Sequence, residues 1–244
     1  MIELPQDREI DDWFRPERPG PLIGPHVLQT GHGRIFADRA DAPRAVLVET
    51  GGANFDLSGD PGAFVPAGPL TGTFRADEAF EPLLRAHSSE LQRWPRVIYE
   101  LAGDPHPVPA PATEIRRLGP GDADALDGLS PQSHWISETW GGPAGAAAGG
   151  LAFGAFHHDR LASVALPFYV GERFEDIGVV TEDGFRARGF SAGCAAAVIE
   201  DILGRGRRPS WSTSPDNIAS RRVADKLGFR YCRSDLLYLV GGAR

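Results

Sequence analysis

Cysteine is scarce in this chain: there are two in 244 residues, Cys194 and Cys232, with no CxxC pair and no histidine at ligand spacing. That excludes a disulfide framework and leaves no zinc signature, so no metal site is expected. Long apolar runs are missing as well. No stretch approaches the roughly 18 residues that cross a bilayer, and the opening MIELPQDREIDDWF is too acidic and polar to read as a secretory signal. The expectation is a cytoplasmic protein in a reducing setting, with no membrane partner. Positive charge is in deficit too, the formal net charge being −8. Phosphate polymers are held by basic surfaces, so nucleic acid is not an expected partner. No GxGxxG follows an early strand, which removes a dinucleotide-binding reading.

What is present suits a globular protein: 41% hydrophobic and 24% charged residues can build and solvate a core. The clearest punctuation is DPHPVPAPAT, Asp104 to Thr113, where Pro105, Pro107, Pro109 and Pro111 remove amide donors and hold the chain extended. It divides the sequence into residues 1–104, a linker at 105–112, and residues 113–244, each part long enough for a domain. The first part reads as a small α+β unit. HVLQT and RIFAD flank Gly31-His32-Gly33 at hairpin spacing, RAVLVE and RVIYELA are strands, and DEAFEPLLRAH is a helix. His26, His32 and His87 are scattered through it and read as surface histidines.

The second part is more regular. TEIRRL reads as a strand and DADALDGL as a short helix, followed by SHWISETWGGPAGAAAGG, a Gly/Ala-rich connection expected to be mobile and outside the core. LAFGAFHH, LASVALPFYV and RFEDIGVVT are strands, the first two joined at Asp159-Arg160. Ala195, Val198, Ile199, Ile202 and Leu203 recur at helical spacing before Gly204 and Gly206. PSWSTS is a strand. DNIASRRVADKLG is a helix that Asp216 or Asn217 can cap and Gly228 can stop. FRYCRSDLLYLV supplies one or two closing strands.

Between strand and helix lies RARGFSAG, Arg186 to Gly193. From Thr181 to Arg230 nine basic residues stand against six acidic ones, a local excess in an acidic protein that suits a small polyanion. A helix N-terminus offers unpaired N–H groups and a partial positive charge. Gly189 lets a ligand approach the backbone closely, and the small residues Ser191 to Gly193 do not obstruct it.

The order strand, Arg/Gly turn, helix, strand, Asn-led helix, Leu-Gly-Phe resembles the GNAT superfamily of N-acetyltransferases, over about Thr113 to Val240. The family's Gln/Arg-x-x-Gly-x-Gly/Ala signature corresponds to Arg186, Gly189 and Ser191, with serine departing from the pattern in the last place. Its Asn-led helix corresponds to Asn217, Gly228 and Phe229. The resemblance implies a mixed α/β (α+β) acyl-CoA N-acyltransferase fold and acetyl-CoA as co-substrate. The pyrophosphate would lie on Arg186, Arg188, Gly189, Phe190, Ser191 and Ala192, the pantetheine arm along Val179, Val180 and Thr181, with Asn217 and Ser220 also at the cofactor.

In the family a carboxylate near the start of the pantetheine strand serves as base. GERFEDIG offers Glu172, Glu175 and Asp176; Asp176 shares a face with Gly178 and Val180, and Glu175 the opposite one. Asp176 is the first choice and Glu175 the second, since a β-bulge in this strand can exchange those faces. The family's acid tyrosine, seven residues past the asparagine, is replaced by Ala224; His157, His158 and Tyr169 are the alternatives. The first half, with GRIFAD and DLSGD, looks like the accessory part of two-part GNAT proteins similar to zwittermicin-resistance acetyltransferases. It is expected to shape the acceptor site beside the loop from His134 to Gly150. The implied reaction is direct acetylation of a small, cationic amine in a ternary complex, without an acyl-cysteine, by a monomer or homodimer. A CoA-binding regulatory module without catalysis is the alternative.

Overall fold

The computed structural model describes residues 1–6, 10–88, 90–109 and 113–242. Part of the proline-rich segment, residues 110–112, therefore lies outside the described residues. The strands are β1 (Ile2–Leu4), β2 (Arg34–Ala37), β3 (Ala45–Thr50), β4 (Asn54–Gly59), β5 (Gly72–Ala76), β6 (Leu91–Leu101), β7 (Glu114–Arg117), β8 (Phe153–His157), β9 (Arg160–Val170), β10 (Phe174–Thr181), β11 (Arg208–Thr213) and β12 (Phe229–Val240). The helices are α1 (Ile23–Thr30), α2 (Glu81–Ala86), α3 (Ala123–Asp127), α4 (Pro143–Ala148), α5 (Phe190–Gly204) and α6 (Ile218–Leu227), with a ten-residue 3-10 segment at Pro131–Trp140. The mixed α/β class expected from the sequence is the one observed.

All twelve strands join one sheet in the order β1-β2-β3-β4-β5-β12-β6-β11-β10-β9-β8-β7. The order is symmetric about its centre. Strands β4 and β5 run parallel, as do β10 and β11, while the other neighbouring pairs are antiparallel. Each half thus carries five strands in the same order and exchanges its last strand with the other half. Strand β6 lies between β11 and β12, and β12 lies between β5 and β6. The β6–β12 ladder, eleven paired positions with Cys232 bulged out, joins the halves. The second half differs in having α5 between its parallel strands, where the first has only a 3-10 turn at Pro61–Ala63.

Both faces of the sheet are covered. On one face α5 and α6 pack through Cys194, Val198, Ile202, Ala224 and Leu227 onto Trp211, Tyr99 and Phe229, and α2 continues that layer with Leu84 against Phe74 and Tyr238. On the other face lie α1, α3, α4 and the 3-10 segment, with Ile23, Ile136, Trp140 and Ala147 in one core and Val27 in the next.

Two expectations are corrected here. HVLQT belongs to helix α1 rather than to a strand. Pro25 sits in the first turn, where its missing N–H costs nothing, and Gly31 ends the helix with φ +73°. Gly24 allows the ring of Phe14 to lie directly on the helix. The Gly/Ala-rich connection is also not a mobile loop. Ile136, Trp140, Ala146 and Ala147 are buried, the Trp140 indole donates to Pro167 O at 2.9 Å, and Gly145 leaves room for the Trp140 carbonyl. Small residues here permit close packing instead of preventing it.

Candidate active site

Strands β10 and β11 pair for only three rungs, Phe174–Arg208, Glu175–Pro209 and Asp176–Ser210, and then part. Beyond that point β11 continues against β6, while β10 continues against β9. The backbone of Ile177 to Thr181 is left without a strand on its β11 side, so the sheet opens as a wedge. Ser212, two residues past the last rung, has a buried hydroxyl that faces Asp176.

At the far end of β10 the chain enters the Arg/Gly turn. Gly184, Ala187 and Gly189 take φ of +85°, +61° and +82°. Gly189 is the N-cap of α5, no side chain caps the helix, and a Cβ placed on Gly189 would meet nothing within 4 Å. The first-turn amides at Phe190, Ser191 and Ala192 therefore face open space. Phe190 itself is buried under α5, and its contribution there can only be its amide. The Arg186 side chain pairs with Asp183 at 3.0 Å, and the Arg188 guanidinium lies over the Phe185 ring at 5.5 Å. Much of the basic excess is consumed within the fold, since Arg205 and Arg207 pair with Glu175 and Arg208 with Glu100. Asn217 Oδ1 caps α6 by accepting from Ser220 N at 3.1 Å, and Ser220 Oγ accepts from the Trp211 indole at 2.9 Å. Ser220 thereby ties α6 to β11, and Asn217 caps the helix start.

The two candidate carboxylates part company. The β9–β10 ladder has a bulge, and its extra residue is Phe168 on β9, so the alternation along β10 is kept. Glu175 faces α5, is 0% exposed, and is gripped by Arg205, with Nη2 to Oε2 at 2.7 Å, and by Arg207 at 2.8 Å. Asp176 faces the other way, 4% exposed, and accepts from Ser210 Oγ at 2.9 Å. Burial pushes its carboxyl up to about 6, opposed by the hydroxyls of Ser212 and Ser210 and the charges of Arg96 and Arg233. A carboxylate titrating near neutrality at the apex of a wedge is suited to take a proton. Glu172, the third acid of that stretch, is in the β9–β10 turn at 3.4 Å from Arg15. Tyr169 is the partner of Asp176 in the β9 ladder, and His157 lies 5.5 Å from the Phe185 ring at the turn.

The profile of the GNAT acetyltransferase family matches residues 112–235. An uncharacterized N-acetyltransferase in the mutA 5′ region of Streptomyces virginiae is 37% identical over 214 residues, covering 84% of this chain and 90% of that one. The chain belongs to the GNAT acetyltransferase family. It is an N-acetyltransferase. Among solved structures, a GCN5-related N-acetyltransferase-like protein from Streptococcus suis superposes with a TM-score of 0.66 at 18% identity, covering 87% of this chain and 90% of its own. A GCN5-related N-acetyltransferase from Kribbella flavida gives 0.60 at 13% identity, covering 89% and 93%. These two likenesses concern the fold and extend through both halves of the sheet.

Several residues that hold this GNAT site together carried no signal in the sequence. Glu182, at the end of β10, is buried and accepts from Ser130 N, Ser130 Oγ and Ser133 Oγ at 2.7–3.1 Å, tying the 3-10 segment to the Arg/Gly turn. Glu17 accepts from the amides of Glu172, Arg173 and Phe174 at 2.7–2.9 Å, and Gly20 N donates to Ser210 Oγ at 3.3 Å. A strap from the first half thus crosses the start of β10 and β11. His26, read from the sequence as a surface histidine, is 0% exposed. Its Nδ1 accepts from Val170 N at 3.1 Å and its Nε2 meets Thr139 O at 2.8 Å, so α1 is riveted to the second half. Burial lowers its pKa to about 4 and keeps the ring neutral. No signal in sequence order could have paired residue 26 with residues 139 and 170.

Proposed function

We propose that this N-acetyltransferase uses acetyl-CoA and transfers the acetyl group directly to a small cationic amine, with Asp176 as the base. The observation that carries the reading is the wedge, which has a proton-accepting carboxylate at its apex and uncapped helix amides at its mouth. Arg188, Gly189, Phe190, Ser191 and Ala192 would receive the pyrophosphate on their amides. Val179, Val180 and Thr181 would pair with the pantetheine arm through backbone that no strand occupies. Acetyl-CoA supplies an activated thioester acyl group; the chain's own task is to place an amine beside it and remove a proton. An ammonium cannot attack a carbonyl carbon, so Asp176 accepts the proton that frees the nitrogen lone pair. Glu175, with both oxygens held by guanidinium groups, clamps β10 to α5.

The cationic acceptor is supported by Asp176 itself, a buried carboxylate at the last rung before the wedge opens. A separate groove of about 1000 Å³ opens in the first half between the strap, the ends of β4 and β5, and β12, and none of the wedge residues lines it. Five carboxylates line it (Asp12, Asp56, Asp77, Glu78, Asp235) against three guanidiniums, of Arg15, Arg18 and Arg75. The first half reaches the Asp176 side of the wedge through the strap, whose Gly20 N donates to Ser210 Oγ. At the third rung of its parallel pair stand Asp56 and Arg75, where the second half has Asp176 and Ser210. Arg75 grips Asp56 at 3.0–3.1 Å, so that carboxylate is already occupied. Two similar halves therefore hold a single available base, and we read the first as a degenerate copy.

Release of free thiol from acetyl-CoA, followed across a panel of amines, tests the reading. Polyamines and aminoglycoside-like amines should react, and neutral acceptors should not. A regulatory CoA-binding module remains the second reading, because Ala224 is fully buried and offers no acid for the departing thiolate. Tight CoA binding with no amine-dependent thiol release from any acceptor would favour it.

A further inference from the structure

We propose that Ser210 is a positioning residue for Asp176, set by the backbone amide of Gly20 so that its single hydroxyl proton serves the carboxylate. The inference rests on Asp176 being the base. Ser210 Oγ has three neighbours: Gly20 N at 3.3 Å, Asp176 Oδ1 at 2.9 Å and Glu175 O at 3.4 Å. An amide can only donate, so Gly20 occupies one of the two lone pairs of the hydroxyl. The hydroxyl proton then has two acceptors, and the nearer and more strongly accepting one is the ionised carboxylate. When Asp176 has taken the proton of the amine, the bond reverses: Asp176 donates to Ser210, and Ser210 turns its own proton to the Glu175 carbonyl. Both lone pairs are then filled, by Gly20 and Asp176. Every polar group remains partnered before and after proton transfer. A hydroxyl at this position can do this and a methyl group cannot.

The first half of the chain is written into this arrangement through Gly20. Its φ is +121°, and an added Cβ would lie 3.1 Å from Arg233 Nη2 and 3.2 Å from Ile98 Cδ1, so glycine lets the strap sit low enough to reach Ser210. Arg233 fixes the same strap by donating to Pro19 O at 2.8 Å. The charged and titratable groups around Asp176 are Arg96 from β6, Arg233 from β12, Tyr169 from β9, His26 beyond Tyr169 on α1, and Glu17 in the strap. His26 is held neutral by burial, and Glu17 is committed to three amides. Ser210 and Ser212 are thus the hydroxyls beside Asp176, and Ser210 is the one that the strap orients and an uncharged substitution can remove.

The test is the titration of Asp176 in the free protein, read from its side-chain carboxyl carbon by NMR, with the pH profile of kcat/KM beside it. In Ser210→Ala the midpoint should move up by about one unit, because the charged form loses a donor. Turnover should then fall about fivefold at pH 6 and hardly at pH 8.5. Ser210→Thr keeps the hydroxyl and should restore the wild-type midpoint. An unmoved NMR midpoint in a folded Ser210→Ala protein overturns the positioning role. Wild-type turnover in Asp176→Asn overturns the base instead, whatever the Ser210 titration shows, so the two failures are distinct.

Discussion

Asp176 and Glu175 are neighbours in sequence and opposites in physics, and substitution should separate them. Asp176 is raised from 3.8 to about 6 by burial. A group with a raised folded-state pKa contributes fully below its unfolded value and loses that contribution as pH climbs through the folded one. Asp176→Asn should therefore be more stable than the wild type at pH 7.5, by up to about 3 kcal/mol, and show no gain below pH 4. Its kcat/KM should drop at least about 100-fold. Urea unfolding at the two pH values and thiol-release kinetics read both effects. His26 has the opposite sign, because its folded pKa of about 4 lies below the ordinary 6.5. The unfolded chain takes up that proton first, so stability falls by about 3 kcal/mol as pH drops from 6.5 to 4. In the wild type the two effects oppose each other between pH 4 and 6; Asp176→Asn should unmask the acid lability of His26. Glu175→Gln should behave otherwise and destabilise by about 2 kcal/mol, since two guanidiniums lose their partner but are 29% and 27% exposed and can rehydrate. A Glu175→Gln protein with wild-type stability would remove the clamp.

At the scale of elements the Arg/Gly turn was legible and its surroundings were not. An Arg/Gly turn before an alanine-rich helix is local chemistry, and Gly189 at φ +82° is what a left-handed N-cap asks for. Helix α6 with its Asn217 cap and Gly228 stop was equally local. The misread elements are those whose conformation is set from outside. Helix α1 is shaped by Phe14 lying on Gly24, and the Gly/Ala segment is ordered by Trp140, Glu182 and the bulged strand β9. The choice between Asp176 and Glu175 also hung on which strand held the bulge, a question of pairing that one strand's sequence does not contain. The turn yields a direct prediction. Gly189→Asp places a negative charge in open space beside the helix amides, so the fold should persist while CoA affinity falls by at least about tenfold. Calorimetry showing unchanged affinity would falsify the cradle. Cys194, four residues inside α5, should not carry the acetyl group. Burial pushes its thiol up to about 12, so no thiolate forms, and intact mass after incubation with acetyl-CoA alone should be unshifted.

For the whole molecule, the proline-rich segment marks the point where the chain passes from one half to the other, and the exchange of last strands decides whether the halves can stand alone. Cutting near residue 113 removes β6, which is paired to β11 on one side and along eleven positions to β12 on the other. The remaining second half would then keep its wedge but lose the strand that holds β11 away from β10. It would also leave β12 with neither neighbour and β11 with one open edge, and unpaired edges favour association over folding. The strap would go as well, taking Glu17 from the β9–β10 turn and Gly20 from Ser210. Residues 113–244 expressed alone should therefore be aggregated or lack a cooperative unfolding transition, and should bind CoA weakly or not at all. Co-expression with residues 1–112 should restore both, since β6 can return to its slot without a covalent connection. Circular dichroism melting and calorimetric CoA titration of the fragment and the reconstituted pair are the measurements. If residues 113–244 melt cooperatively as a monomer with the CoA affinity of the full chain, the strand exchange is dispensable and the two halves are independent domains.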